Sequence, residues 1–144
     1  NIYDSLVKGA RFAAAVWATP EKVPFISVPM NIVLKETNTL PPPITPGPFS
    51  MSDENNLKNV FEESGFVDPV IERINVFSNF DSPGEFTTFT IEHGGPTLRK
   101  ILAGQTNERR EQILKAISKG TENYADDNGK VSFENEAILI VGSK

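Results

Sequence analysis

The stretch Lys8-Gly9-Ala10-Arg11-Phe12-Ala13-Ala14-Ala15-Val16-Trp17-Ala18 decides the fold of this chain. From Phe12 to Ala18 it contains no polar residue, so polar and apolar positions do not alternate. Such a segment is typical of a strand that is covered on both faces, as in parallel sheets between helices. Gly9 before it and Pro20 after it are typical strand boundaries. The alternative is a short buried helix, because three consecutive alanines favour helix. We predict the strand.

The composition limits the class of protein. The chain has 144 residues, a formal net charge of -5 and no cysteine. A single domain, residues 1–144, is the natural expectation for this length. An acidic chain without a lysine and arginine cluster is not expected to bind nucleic acid, and the lack of cysteine excludes disulfides and thiolate chemistry. The apolar runs are too short to span a bilayer and no leader precedes them, so we expect no membrane partner and a cytoplasmic location.

Cap and turn residues divide the rest of the chain into helices and strands. Serine, threonine and aspartate precede the expected helices, and glycine follows several of them. The expected helices cover residues 1–7, 50–64, 82–91, 97–103 and 106–124, and the further strands cover residues 70–77 and 136–141. The last strand is again apolar on both sides.

Proline defines the segment from residue 20 to residue 49. Pro24 and Pro29 interrupt an apolar stretch, so we expect a broken or kinked helix there. Five prolines between Thr37 and Phe49 indicate an extended loop with polyproline character. A long loop inside a compact domain is usually a linker or a lid. Because apolar sequence flanks it on both sides, we interpret residues 20–49 as a lid.

Three features suggest chemistry. Asp126-Asp127-Asn128-Gly129 resembles the start of a calcium loop, but the ligand spacing of an EF-hand is not met, so we predict a turn and no metal site. His93 is the single histidine and a weak candidate for a general base, the alternative being an exposed residue at a helix end. Trp17 ends the first strand, where ligands of open α/β sheets bind, although packing in a core or under a lid is an equal alternative.

The chain resembles class I S-adenosylmethionine-dependent methyltransferases. The family often writes the turn into its fifth strand as Leu-Lys-Pro-Gly-Gly-Arg, and here Leu6, Gly9 and Arg11 match in register, with lysine at the proline and alanine at the last glycine. Glu62-Glu63-Ser64-Gly65-Phe66 is similar to the end of the family's late helix. Residues 124–141 look like the tail of the branch that includes quinone-biosynthesis methyltransferases.

This resemblance implies a partial Rossmann-like fold, the carboxy-terminal half of a methyltransferase. We expect an α/β chain with about three strands in a mixed sheet, helices and a proline-rich lid, and with the closing strand antiparallel between the other two. The first strand would keep one open edge. The glycine-rich loop and the acidic residues that hold S-adenosylmethionine in the family would precede Asn1. We therefore expect that this chain alone does not bind S-adenosylmethionine and is inactive by itself.

The implied function is methyl transfer to a small, largely apolar acceptor. In-line displacement depends mainly on proximity and orientation, so few catalytic side chains are needed. We expect Trp17, Phe25, Met30 and Phe49 to bind the acceptor, with His93 as a base only if the acceptor must lose a proton. The alternative is a non-catalytic α+β module that binds a small molecule. The expected protein partner is a second copy, joined through the open strand edge, or a missing amino-terminal half.

Overall fold

The computed structural model describes residues 2–40 and 47–144. Within them the chain forms six α-helices and three β-strands, so the predicted α/β class is confirmed. None of these helices has the length and apolar character needed to cross a bilayer. In chain order the elements are α1 (Ile2–Ser5), β1 (Arg11–Trp17), α2 (Pro24–Glu36), α3 (Glu54–Glu63), β2 (Val67–Phe80), α4 (Pro83–His93), α5 (Pro96–Ala103), α6 (Asn107–Thr121) and β3 (Val131–Ser143).

The described strands form one antiparallel sheet in the order β1-β3-β2. β1 pairs with β3 from Arg11 opposite Ser143 to Trp17 opposite Ala137. The prediction that the closing strand lies antiparallel between the other two is therefore confirmed. The predicted mixed sheet is wrong for the strands that the structure describes, because parallel neighbours are absent among them.

The chain divides into two compact units. The described residues of the first unit are 2–23, 47–76 and 135–144, and those of the second are 24–40 and 77–134. Strands β2 and β3 contribute residues to both units, whereas β1 belongs to the first unit only. Each unit has its own hydrophobic core.

In the first unit β1 has one covered face and one open face. The side chains of Phe12, Ala14 and Val16 are half-buried, while Ala13 and Ala15 are exposed. The prediction of a strand covered on both faces is therefore wrong. The alternation cannot be read from residue types, because small apolar alanines occupy the exposed positions.

The covered face of β1 packs against aromatic rings. The Phe12 ring stacks on Phe61 of α3, with centroids 5.6 Å apart, and on Phe66, with centroids 5.4 Å apart. The predicted glycine stop is confirmed, since Gly65 has φ +99° directly before Phe66. The helix begins at Glu54 rather than residue 50, because the Asp53 carboxylate caps it by accepting the Asn56 N–H at 2.7 Å.

The central strand β3 is covered along its second half. No residue from Glu136 to Ser143 is exposed, and Ile138 and Ile140 are fully buried. The predicted strand over residues 136–141 is confirmed and is longer than expected. Its first half alternates between buried Val131 and Phe133 and exposed polar residues, which the apolar pattern of the second half does not anticipate.

The core of the second unit is built from aromatic and aliphatic side chains. The rings of Phe86 and Phe133 lie 4.6 Å apart between centroids, and both residues are fully buried. Ile113 and Ile117 of α6 pack in the same core, as does Val33 of α2. The predicted helices around α4, α5 and α6 are confirmed, with Ser82 and Thr106 as side-chain caps of α4 and α6.

Helix α2 is continuous from Pro24 to Glu36. Pro24 opens it, where no intrahelical N–H is needed, and Pro29 is buried inside it, so the helix is not broken. Its last residue, Glu36, accepts a hydrogen bond from Arg109 Nη2 to the carboxylate Oε2 at 3.0 Å. The prolines at positions 41, 42, 43 and 46, which carried the prediction of a polyproline loop, lie outside the described residues.

Substitution of Gly142 by alanine should destabilise the first unit. A Cβ atom at Gly142 would lie 2.9 Å from the Phe66 Cβ and 3.2 Å from the Phe61 Cδ1, and neither group can yield without repacking. Overpacking of this kind costs about 1–3 kcal/mol. Urea unfolding measures the loss. Gly95→Ala is the control, because no atom lies within 4 Å of a Cβ at that position. Equal unfolding free energies for the two variants would contradict the packing described here.

Hydrogen exchange tests the predicted lid at residues 20–49. A lid that opens has to uncover Val33, which is fully buried in the second core. If the segment acts as a lid, we expect the α2 amides to exchange faster than those of Ile138 and Ile140 in β3. If the α2 amides exchange as slowly as those of β3, α2 stays packed in the core and does not act as a lid.

Candidate functional site

A pocket of about 470 Å³ lies in the first unit, beside the open face of β1. All three strands and the turn before α3 contribute to it. None of its described lining residues is charged, and the polar side chains among them are Ser50, with its hydroxyl, and Trp17, with its indole N–H. The pocket therefore suits a small neutral molecule with few hydrogen-bonding groups. Its lining residues are Ala15, Val16, Trp17, Gly47, Pro48, Ser50, Met51, Ile74, Val76 and Ala137.

Local hydrogen bonds shape the turn that forms one wall of the pocket. The Ser50 N–H and Oγ both donate to the Gly47 carbonyl oxygen, at 3.2 and 2.8 Å. The Ser52 N–H donates to the Phe49 oxygen at 3.2 Å. These bonds place Met51 against the sheet directly before the Asp53 cap of α3. The flexible thioether of Met51 adapts to flat apolar ligands and favours contact with aromatic rings.

An ion-pair network holds the strands behind the pocket. Arg73 of β2 donates from Nε to Glu54 Oε1 at 2.6 Å and from Nη1 to Glu136 Oε1 at 2.5 Å. Hydrogen bonding to Glu54, and then to Glu136, raises the pKa of Arg73 above its ordinary value. The network links α3, β2 and β3, so it fixes the distance between the strands that carry Ile74 and Ala137.

Two of the four residues predicted to bind the acceptor belong to the first unit, and two belong to the second. Trp17 lines the pocket, and Phe49 is half-buried in the turn beside it without being a lining residue. Phe25 and Met30 belong to the second unit, where they pack against its hydrophobic core. The Phe25 ring lies 6.1 Å from the Phe80 ring between centroids. Packing thus accounts for both side chains of α2.

Sequence reasoning missed most of the pocket. Ile74 and Val76 alternate along a predicted strand, so their shared face could be inferred, but not what lies opposite it. Met51 and Ala137 carry no signal in the sequence, because a methionine before a helix and an alanine in an apolar strand are ordinary. Only the pairing of β3 with β1 brings Ala137 opposite Trp17.

His93 is the last residue of α4, in the second unit, and it is not a lining residue of the pocket in the first unit. Its side chain is 60% exposed. The ring packs at 4.7 Å from the Phe89 ring between centroids, and Nε2 lies 3.8 Å from Glu92 Oε2. His93 does not line either of the two described pockets, and its exposure agrees with the alternative of an exposed residue at a helix end.

A larger depression of about 770 Å³ lies in the second unit. Its charged groups already have structural partners. Glu85 Oε2 accepts the Asp81 N–H at 2.6 Å, and Lys130 Nζ lies 3.4 Å from Asp81 Oδ1. The Ser132 hydroxyl donates to Asn79 at 2.7 Å. These bonds tie β2, α4 and β3 together, so we assign the depression no ligand.

The segment Asp126–Gly129 forms the predicted turn. Asp126 Oδ1 accepts the N–H groups of Lys130 and Asn128, each at 2.9 Å, and the Gly129 N–H donates to the Asp126 oxygen at 2.9 Å. The backbone hydrogen bond from Lys130, more than the one from Asn128, holds the pKa of Asp126 below its ordinary value. Over residues 2–40 and 47–144, no group of three or more His, Asp or Glu side chains is placed to hold a metal ion.

Comparison with known proteins does not assign the chain to a family. No protein-family model matches the sequence, and a search of curated proteins also finds no match.

Substitution of Asp126 by asparagine should change how stability depends on pH. A carboxyl with a depressed folded pKa stabilises the fold above its unfolded pKa, which is about 3.9, and loses that contribution as the pH falls through the folded pKa. Asp126→Asn should therefore be less stable than the parent near neutral pH, and the difference should shrink on acidification. Thermal unfolding between neutral pH and about pH 3 measures it. Asp127→Asn controls for the lost charge. A difference that stays constant over this range would contradict the role of Asp126.

Proposed function

We propose that this chain is the acceptor-binding half of a class I S-adenosylmethionine-dependent methyltransferase with a Rossmann-like sheet. In this proposal the reaction is methyl transfer to a small, largely apolar acceptor. The chain supplies the acceptor pocket, and a cofactor-binding segment outside residues 1–144 supplies the methyl donor. The strand order β1-β3-β2, with an antiparallel strand in the middle, is the observation that carries the proposal.

The strand order supports the proposal because it is unusual for a small sheet. β1 and β2 each pair antiparallel with β3, so they run parallel to each other with β3 between them. Consecutive strands commonly pair with each other, but β1 and β2 do not. The resemblance noted around Gly9 and Gly65 implies this same order for the last three strands of the family.

Part of the second unit is a long connection between two neighbouring strands of this sheet. Antiparallel neighbours need only a two-residue turn, whereas residues 81–130 separate β2 from β3 and include three helices. Phe86, Ile113 and Ile117 of this segment pack in the core of the second unit. Val33 of α2 and Phe133 of β3 also belong to that core. We propose that this segment modifies specificity or partner binding and leaves the strand order of the catalytic sheet unchanged.

The pocket favours a neutral acceptor. Burial of an unpaired charge is costly, and the lining residues that the structure describes include neither a carboxylate nor a cationic side chain. The flat wall of Ala15 and Ala137 and the rings and thioether of Trp17 and Met51 suit a planar molecule. Exclusion of water and alignment of the acceptor are the contributions that these side chains can make to a displacement reaction.

The described residues do not fit S-adenosylmethionine. Recognition of the ribose hydroxyls uses a carboxylate at a strand end, close to a glycine-rich turn. The pocket has no carboxylate, and no two glycines of the sequence are spaced as Gly-x-Gly. We therefore propose that cofactor binding, and with it catalysis, depends on residues outside this chain. His93 would act as a base only for an acceptor that must be deprotonated.

The second candidate function is a non-catalytic module that binds a small molecule. The same pocket favours it, since its described lining residues include neither a carboxylate nor a histidine that could act as a general base. Both functions involve binding of a small neutral molecule. Only the methyltransferase also needs a methyl donor. Under either function we propose the cytoplasm as the compartment, following the composition.

A labelling experiment separates the two functions. The longest translated product that contains residues 1–144 is incubated with methyl-labelled S-adenosylmethionine and a panel of small neutral aromatic compounds. We expect transfer of the label, and we expect the product to contain a strand followed by a Gly-x-Gly loop upstream of Asn1. Calorimetry with residues 1–144 alone should detect no binding of S-adenosylmethionine. Micromolar binding of S-adenosylmethionine to residues 1–144 would contradict the proposal that the cofactor binds outside this chain.

Variants of the pocket connect the activity to the site. Val76→Asp places a charge in the apolar lining and should lower transfer at least about tenfold, since a loss of 1.4 kcal/mol is tenfold. Glu72→Asp on the same strand, an exposed position, is the matched control and should keep full transfer. Saturable quenching of the single tryptophan by an acceptor, without any transfer of label, would favour the binding module.

A further inference from the structure

We propose that the 144-residue chain forms a twofold dimer by antiparallel pairing of β1 with β1 of a second copy, centred on Ala14. The inference rests on the edge geometry of β1 and the order of its side chains. The dimer is proposed for residues 1–144 and does not depend on the proposed methyl transfer. A strand of the cofactor-binding segment at the same edge of β1 would take the place of the second copy.

The backbone of β1 presents an unpaired edge. Among the described strands, β1 has β3 as its single neighbour. The Ala18 N–H donates to the Glu136 oxygen at 3.0 Å and the Lys144 N–H donates to the Ala10 oxygen at 2.9 Å. These bonds assign the even-numbered residues of β1 to the hydrogen-bonded pairs with β3. The odd-numbered residues, from Arg11 to Trp17, therefore direct their N–H and C=O groups to the open edge.

One register pairs all seven residues of β1 with a second copy. When Ala14 lies opposite Ala14 of the partner subunit, the odd-numbered residues oppose one another. Ala13 then faces Ala15 of the partner subunit, and each odd-numbered pair exchanges two backbone hydrogen bonds. Alanine at the three central positions lets the two strands approach without a clash.

The side chains at the ends of the strand are complementary in this register. Arg11 faces Trp17 of the partner subunit, on the open face of the sheet. Arg11 is exposed and forms no ion pair within the described residues. A guanidinium beside an indole face is a favourable cation–π arrangement, worth about 0.5–1 kcal/mol at an exposed site. On the covered face, Phe12 meets Val16 of the partner subunit, an aromatic and β-branched pair that stabilises sheets.

The dimer would extend the candidate site. Trp17 lines the pocket of the first unit, so the pairing brings Arg11 of the partner subunit next to that pocket. A second copy would then contribute the one cationic side chain at the edge of an otherwise uncharged site. The exposed apolar residues Ala13 and Ala15 of both copies would form one continuous surface.

Sedimentation of the intact 144-residue chain at micromolar concentration tests the proposal. We expect a mass of twice 15.8 kDa. The double variant Ala13→Lys and Ala15→Lys should sediment as a monomer, because lysine on an edge strand opposes pairing. Val70→Lys is the matched control, since Val70 is 67% exposed on β2, the other edge strand of the sheet, and this variant should remain dimeric. Circular dichroism confirms that each variant is folded.

A cysteine cross-link tests the register. The chain has no cysteine, so Ala14→Cys introduces one thiol at the proposed twofold axis. In a non-hydrogen-bonded antiparallel pair the Cα atoms lie about 4.5 Å apart, which a disulfide can span. Mild oxidation should give a covalent dimer, while Val70→Cys should not. A monomeric parent chain overturns the proposal, as does a dimer that survives the lysine variant or fails to cross-link through residue 14. None of these outcomes bears on the binding of S-adenosylmethionine.

Discussion

The pairing of β3 with both other strands is the interaction on which the structure depends. β3 satisfies one edge of β1 and one edge of β2, and it supplies Ile138 and Ile140 to the first core and Val131 and Phe133 to the second. A buried backbone group without a partner costs about as much as a lost hydrogen bond. Both outer strands therefore require this last segment of the chain to be in place before either can form a stable sheet.

The two faces of β1 explain why the first unit can hold a pocket. On one face the rings of Phe12, Phe61 and Phe66 pack tightly, and Gly142 leaves room for them. On the other face alanines leave a shallow wall, and the turn that carries Met51 closes over part of it. Large side chains thus provide stability on one side, and small ones provide space on the other.

Ion pairs connect the elements that form the pocket, but the charged side chains are not among its described lining residues. The Arg73 network with Glu54 and Glu136 lies at the surface, where such pairs contribute little to the free energy of folding. Its geometric effect is larger, because one guanidinium orients a helix and two strands at once. The pocket itself stays uncharged, and this property separates it from the depression of the second unit, whose carboxylates cap helices and turns.

Much of the local structure was predictable from short-range chemistry. Ser82, Thr106 and Asp53 cap helices because their side-chain oxygens satisfy free N–H groups, and Gly65 accepts a backbone conformation that other residues avoid. The turn at Asp126 follows from the same local bonds. The strand order was predictable only through a resemblance to a family.

Caps, glycines and apolar runs act over a few residues, so they were enough to predict most of the helices, strands and turns. Only the tertiary structure decided that the alanines of β1 face outwards, since apolar residue type does not reveal what covers a strand. It also packed Phe25 and Met30 against the core of the second unit. Long-range packing decides which apolar side chains are buried by their own chain and which remain available to a ligand or a second subunit. The residue types alone do not reveal this difference.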